Sequence, residues 1–118
     1  MGGDFAPSAI VEGSVRAARE LGHVKKIILV GREDAVRGEL AKHGPTPGSI
    51  EIRHCTEVVE MGESPATAVR RKRDSSINRA IDLVKDGEAD AIFSAGSTGA
   101  QVAASQLKLR TLEGVDRP

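Results

Sequence analysis

Apolar positions recur along this chain with two periods, and the alternation between them orders the elements. Ile10, Val11, Val15, Ala18 and Leu21 fall three to four residues apart, behind Pro7 and ahead of Gly22, which predicts a helix. Ile27-Ile28-Leu29-Val30 is unbroken by polar residues and closed by Gly31, as in a strand covered on both faces. A second helix is predicted over 33–43, with Ala35, Val36 and Leu40 inward and Gly44 at its end. After the loop Pro45-Thr46-Pro47-Gly48, Ile50-Glu51-Ile52-Arg53 alternates apolar with polar, the pattern of a strand near a sheet edge. Ser64-Pro65 opens a short helix, and Ser75-Ser76 opens another that carries Ile77, Ala80, Ile81 and Val84 to a stop at Gly87. Ala91-Ile92-Phe93 predicts a third strand and 99–109 a last helix. This order predicts one α/β domain, layered helix on sheet on helix, with a largely parallel sheet.

Composition narrows what such a domain does. The 17 Lys and Arg balance 17 Asp and Glu, so no net field draws the chain to nucleic acid, and any basic function is local. Two Phe without Trp or Tyr leave an aliphatic core and no base-stacking surface. A single cysteine forms no intrachain disulfide, which favours a reducing, cytoplasmic setting.

Candidate chemistry sits in three places. Ser94-Ala95-Gly96-Ser97-Thr98-Gly99-Ala100 joins the predicted third strand to the last helix. Backbone amides at a helix start lack intrahelical partners and favour an anion, so Gly96, Ser97, Thr98 and Gly99 are candidate phosphate or substrate ligands. The same turn is also ordinary strand-to-helix punctuation. It is neither a Walker A loop, since no Lys follows its second glycine, nor a dinucleotide fingerprint, since its glycine spacing differs. Arg70-Arg71-Lys72-Arg73 is the one dense basic run, and with the helix start at Ser75 and Ser76 it makes a second anion-capable corner, or else a solvated face. Exposed members of the run could instead dock an acidic partner. Asp4, in the turn Met1-Gly2-Gly3-Asp4, either orients a substrate group or accepts amides of its own turn. His54, Cys55, Glu57 and Glu60 are too local a group to make a metal site, and none is expected.

Met1-Gly2-Gly3-Asp4 reads as a turn that follows a strand, and 114–118 as a loop that leads into one. The expectation is a fragment whose sheet lacks a central strand beside Ile27-Ile28-Leu29-Val30.

Met1-Gly2-Gly3-Asp4 with Ala6-Pro7, Ala68-Val69-Arg70-Arg71-Lys72 with Ser75-Ser76, Ala89-Asp90-Ala91 with Ser94-Ala95-Gly96, and Gly114-Val115-Asp116-Arg117-Pro118 stand in an order and at separations that resemble the phosphate acyltransferase family of phospholipid synthesis. The resemblance covers the whole chain but only the N-terminal third of the family's usual length, so residues 1–118 represent a partial N-terminal portion of the enzyme's α/β domain. It departs at Ser97, where the family carries Asn; that change shortens the side chain and removes an amide's donors. The family's apolar strand ending in Asp-Ala immediately precedes the turn that Met1 opens here.

The resemblance implies a fold like that of phosphotransacetylases and the isopropylmalate dehydrogenase group. It implies a cytoplasmic enzyme that moves a fatty acyl group from acyl carrier protein to inorganic phosphate, with no cofactor or metal, the acyl phosphate then serving phosphatidic acid synthesis. It also implies a homodimer and peripheral contact with the membrane, where a glycerol-phosphate acyltransferase works. On this basis Asp4, Lys72 and Arg73 are candidates for catalytic roles, and Gly2, Gly3, Ser75, Ser76, Gly96, Ser97, Thr98 and Gly99 for holding phosphate or substrate. The fragment alone is expected to be inactive. Competing readings are a non-catalytic module for a phosphate ligand or acidic partner, and a phosphotransacetylase that uses coenzyme A.

Overall fold

The computed structural model describes residues 1–116; the last two residues of the Gly114-Val115-Asp116-Arg117-Pro118 motif lie outside them. The elements run α1 (Ser8–Glu20), β1 (Ile27–Gly31), α2 (Glu33–Leu40) with a 3-10 turn (Ala41–His43), β2 (Ile50–His54), α3 (Pro65–Arg71), α4 (Ser76–Lys85) and α5 (Thr98–Lys108). β1 and β2 pair in parallel, from Ile27 opposite Ile50 to Gly31 opposite His54, and α2 makes the crossover between them. The fold is α/β, as the alternation of periods requires.

Residues 91–93 correct the sequence reading: they form no strand. A strand is defined by its ladder, and among the described residues these have no neighbour to pair with; β1 and β2 alone make the sheet. Ile92 and Phe93 are accordingly exposed, Phe93 to 86%.

The apolar faces collect into two clusters. Val11 and Val15 of α1, Leu29 of β1, Val36 and Leu40 of α2 and Ile50 of β2 form one. Val59, Ala68, Val69, Ile77, Ile81, Ala100 and Ala104 form the other, where α3, α4 and α5 meet. Two polar ties fasten the second cluster. Asn78 is buried, and its Nδ2 donates to the carbonyls of Val69 at 2.9 Å and Lys72 at 2.8 Å, closing the end of α3. Lys108 donates to both carboxylate oxygens of Asp82 at 2.7 Å and to the Asn78 carbonyl, tying the end of α5 to α4.

Candidate functional site

At the end of the sheet where β1 finishes, two glycine-bearing loops lie back to back. A β-carbon on Gly2 would stand 2.9 Å from the Gly96 Cα, and one on Gly3 would stand 2.7 Å from the Ala95 carbonyl oxygen. Gly3 also has φ +101°, a conformation glycine adopts without strain. The glycines therefore let two backbones touch, bringing the 2–4 turn and the 95–97 turn into one site at the carboxyl end of a parallel strand, the usual ligand edge of an α/β sheet. Asp4 stands exposed on this edge, in a turn closed by the Ala6 N–H on the Gly3 carbonyl.

The 96–99 turn opens α5. Ser97 is its N-cap: the hydroxyl accepts from the Ala100 N–H at 3.3 Å, and the Ser97 carbonyl accepts from the Gln101 N–H. The amides of Thr98 and Gly99 find no acceptor among the described residues, and they remain the donors that an anion would meet. The turn is braced from beneath, since Ser94 Oγ accepts from the Gly96 N–H and the Ser94 carbonyl accepts from Gln101 Nε2. Gly99 is packed against the start of α3, where an added β-carbon would lie 2.7 Å from Pro65 Cγ.

The second corner is built differently. Ser75 is fully buried and caps α4, its hydroxyl accepting from the Asn78 N–H, while the Ser76 N–H donates to the Glu57 carbonyl. The Ser76 amide thus seats the loop that leaves β2, and the Ser75 hydroxyl serves the start of α4, instead of standing open to a ligand. The clasp continues outside: Asp74 accepts from the Thr56 N–H at 2.9 Å, the Thr56 hydroxyl at 2.6 Å and Arg79 Nε at 2.6 Å. The Thr56 hydroxyl first, then Arg79, hold the Asp74 carboxyl down at about 2.

The basic run divides. Lys72 donates to the Val58 carbonyl at 2.7 Å and pairs with Glu63, holding down the 58–63 loop. That bond keeps the Glu63 carboxyl below its usual range. Arg70, Arg71 and Arg73 are exposed and take part in none of the ion pairs among the described residues. The run also lies at the far end of α3 from Pro65 and Gly99, about 10 Å away along a seven-residue helix. The structure thus brings Gly2, Gly3, Asp4, Gly96, Ser97, Thr98 and Gly99 together and leaves Lys72, Arg73 and Ser75 apart from them. Ser76 stands between, on the wall of a cavity that Gly2, Gly96 and Ser97 also line.

His54 and Cys55 have structural places. His54 Nδ1 accepts from the Glu33 N–H at 3.2 Å, supplying the cap that Arg32 does not give α2. Cys55 is fully buried, and that burial pushes its thiol up, away from the reactive thiolate. Among the described residues no group of three or more His, Cys, Asp or Glu is placed to hold a metal ion, and no helix is long and apolar enough to cross a membrane. Sequence reasoning missed the Gly2–Gly96 contact, the Thr56–Asp74–Arg79 clasp and Asn78, and no local pattern in the chain marks any of them.

The chain has several curated relatives. The chain is 52% identical over 118 residues to a phosphate acyltransferase of Desulfitobacterium hafniense, covering all of this chain and 34% of that protein. It is 53% identical over 118 residues to a phosphate acyltransferase of Geobacter sulfurreducens, again all of this chain and 34% of the relative. With that of Akkermansia muciniphila the identity is 50% over 117 residues, 99% of this chain and 34% of the other. The chain thus spans about a third of the length of the curated relatives it matches. The model of the fatty acid synthesis protein family matches residues 1–118, the entire chain, and the chain belongs to that family.

Proposed function

We propose that the full-length protein, in the cytoplasm, transfers a fatty acyl group from acyl carrier protein to inorganic phosphate and so forms the acyl phosphate used in phospholipid synthesis. The observation that carries this reading is the paired-loop site, in which Gly2 and Gly3 back onto Ala95 and Gly96 and the Thr98 and Gly99 amides, at the start of α5, have no acceptor among the described residues. The names of the relatives support it.

The chemistry asks for what such a site offers. A phosphate oxygen attacks the thioester carbonyl carbon; the new C–O bond forms, the C–S bond breaks, and the carrier leaves as a thiol after taking a proton. Backbone amides fixed before the substrate arrives can hold the phosphate or the oxyanion that develops on the carbonyl, without reorganising during the reaction. In this reading Asp4, exposed in the adjoining turn, orients a donor or a substrate group. Arg70, Arg71 and Arg73 offer an acidic carrier a basic face beside this site, not within it.

The test is thioester loss by the full-length protein with and without inorganic phosphate, with the acyl group presented either on acyl carrier protein or on coenzyme A. Phosphate-dependent loss with the carrier substrate is expected. Turnover with coenzyme A thioesters alone would make the protein a phosphotransacetylase, and phosphate binding without turnover would leave only a binding module.

A further inference from the structure

Lys72 ties together the two ends of α3. The helix runs from Pro65 to Arg71, and the Lys72 ammonium, just past its end, pairs with Glu63, just ahead of its start, and donates to the Val58 carbonyl at 2.7 Å. Glu63 in turn closes the 60–63 turn: its carboxylate accepts from the Glu60 N–H at 3.2 Å, and its own N–H donates to the Glu60 carbonyl. The side chains of the pair remain 29% and 31% exposed, so the tie is in contact with water and open to competition. Arg70, Arg71 and Arg73, its neighbours in the chain, are exposed and meet no carboxylate among the described residues. At the other end of the helix Pro65 packs against Gly99, so α3 joins a basic face to the start of α5.

We propose that Lys72 is a latch that an acidic protein surface opens: a partner seated on Arg70, Arg71 and Arg73 takes Lys72 from Glu63 and so frees the 58–63 loop. The proposal rests on the reading above, in which an acidic carrier brings the acyl group. Three unpaired guanidinium groups draw such a partner, and the exchange at Lys72 replaces one carboxylate by another. A partner shifts an equilibrium only by binding one state better than the other. Here the open latch offers it a fourth cation, which the closed latch keeps on Glu63. The coupling is reciprocal, so a protein whose latch is already open binds the partner more tightly. The freed loop leads within two residues to Pro65, and docking at one end of α3 thereby reaches the turn at the other.

The test uses the full-length protein with unacylated acyl carrier protein as the probe, and reads the dissociation constant by calorimetry and the hydrogen exchange of the Glu60 and Glu63 amides. Saturating carrier is expected to speed that exchange at least about fivefold in the wild type, as the loop leaves its closed state. Glu63→Gln breaks the latch, and Glu60→Gln removes the same charge from an exposed side chain that takes no part in it. Glu63→Gln is therefore expected to bind the carrier at least about threefold more tightly than Glu60→Gln does. Equal affinity of these two variants overturns the proposal. So does a bound carrier that leaves exchange at 60 and 63 unchanged or slower, or a protein with Arg70, Arg71 and Arg73 all replaced by Ser that binds as the wild type does. A carrier that does not bind the wild type overturns it equally. No readout needs acyl transfer: phosphate-dependent thioester loss with an unmoved loop removes the latch alone, and a loop opened by the carrier without turnover removes the enzymatic reading alone.

Discussion

Gly2 and Gly96 touch through their backbones, the Cα of each standing where the other has no room for a side chain: a β-carbon on Gly96 would lie 3.2 Å from Gly2 Cα. The space beside Gly96 is filled by the chain's own turn rather than kept for a ligand. A bulky residue at 96 therefore acts by prising the two turns apart.

From this contact the strongest effect is expected one residue away. Gly3→Ala meets both a positive φ and the Ala95 carbonyl oxygen at 2.7 Å, so it should cost about 2–4 kcal/mol in stability. Urea unfolding of the full-length protein measures this. A loss under 0.5 kcal/mol would mean that the turns separate freely. Gly96→Val should lower both the urea midpoint and kcat/KM, and normal stability with lost activity would show that the ligand, not Gly2, occupies the space.

Ser97 stands where the resemblance to phosphate acyltransferases leads to an expectation of Asn, and its role as a helix cap is one that Asn fills equally well. The hydroxyl accepts the Ala100 N–H as a helix cap, and an Asn carbonyl oxygen does the same. Ser97→Asn is expected to be neutral to within about 0.5 kcal/mol, whereas Ser97→Ala should cost about 1 kcal/mol. Thermal melts of the two variants decide it; equal loss in both would remove the cap as the explanation.

Lys72 and Arg73 should separate cleanly although they are adjacent. Lys72→Met frees the 58–63 loop from the Val58 carbonyl and Glu63, and should lower the urea midpoint. Arg73→Met removes only an exposed charge, so stability should hold while the KM for acyl carrier protein rises at low salt and converges with wild type at high salt. A raised KM for phosphate in Arg73→Met, with the carrier KM unchanged, would instead put this side chain on the phosphate.

Asp74 predicts an acid limb to stability. Its carboxyl sits at about 2 when folded against an ordinary 3.8, so the folded state binds its proton less readily than the unfolded chain does. The clasp's contribution is complete above about 3.8 and is lost as pH falls from there towards 2. Urea midpoints measured from pH 6 to pH 2 should fall less steeply for Asp74→Asn than for wild type. Parallel curves would show that Thr56 and Arg79 do not favour the charged form.

Seven of the eight elements read from apolar spacing occur where expected, because each carries its signal within itself. The α1 positions Val11 and Val15 are both buried one turn apart, Ser64-Pro65 and Ser75-Ser76 do open helices, and Gly87 ends α4 with φ +75°. The exception is 91–93, whose apolar run is genuine but whose strand needs a partner on each side. Of the candidate site, the 96–99 turn and its helix start were legible as a local motif. Their meeting with Gly2 and Gly3 was not, since some 90 residues of chain separate the two turns.

The sequence by itself determined the order of the elements apart from 91–93, the parallel α/β class and, to within a residue, the start of the last helix, all properties of neighbouring residues that follow from periodicity and capping. The tertiary structure alone decided which basic side chains are free. Lys72 is engaged because a carbonyl and a carboxylate of the 58–63 loop lie within its reach, and exposed Arg70, Arg71 and Arg73 meet no carboxylate among the described residues. It alone also decided that the two glycine turns form one site, since only the folded path of the whole chain sets the few ångströms between Gly2 and Gly96.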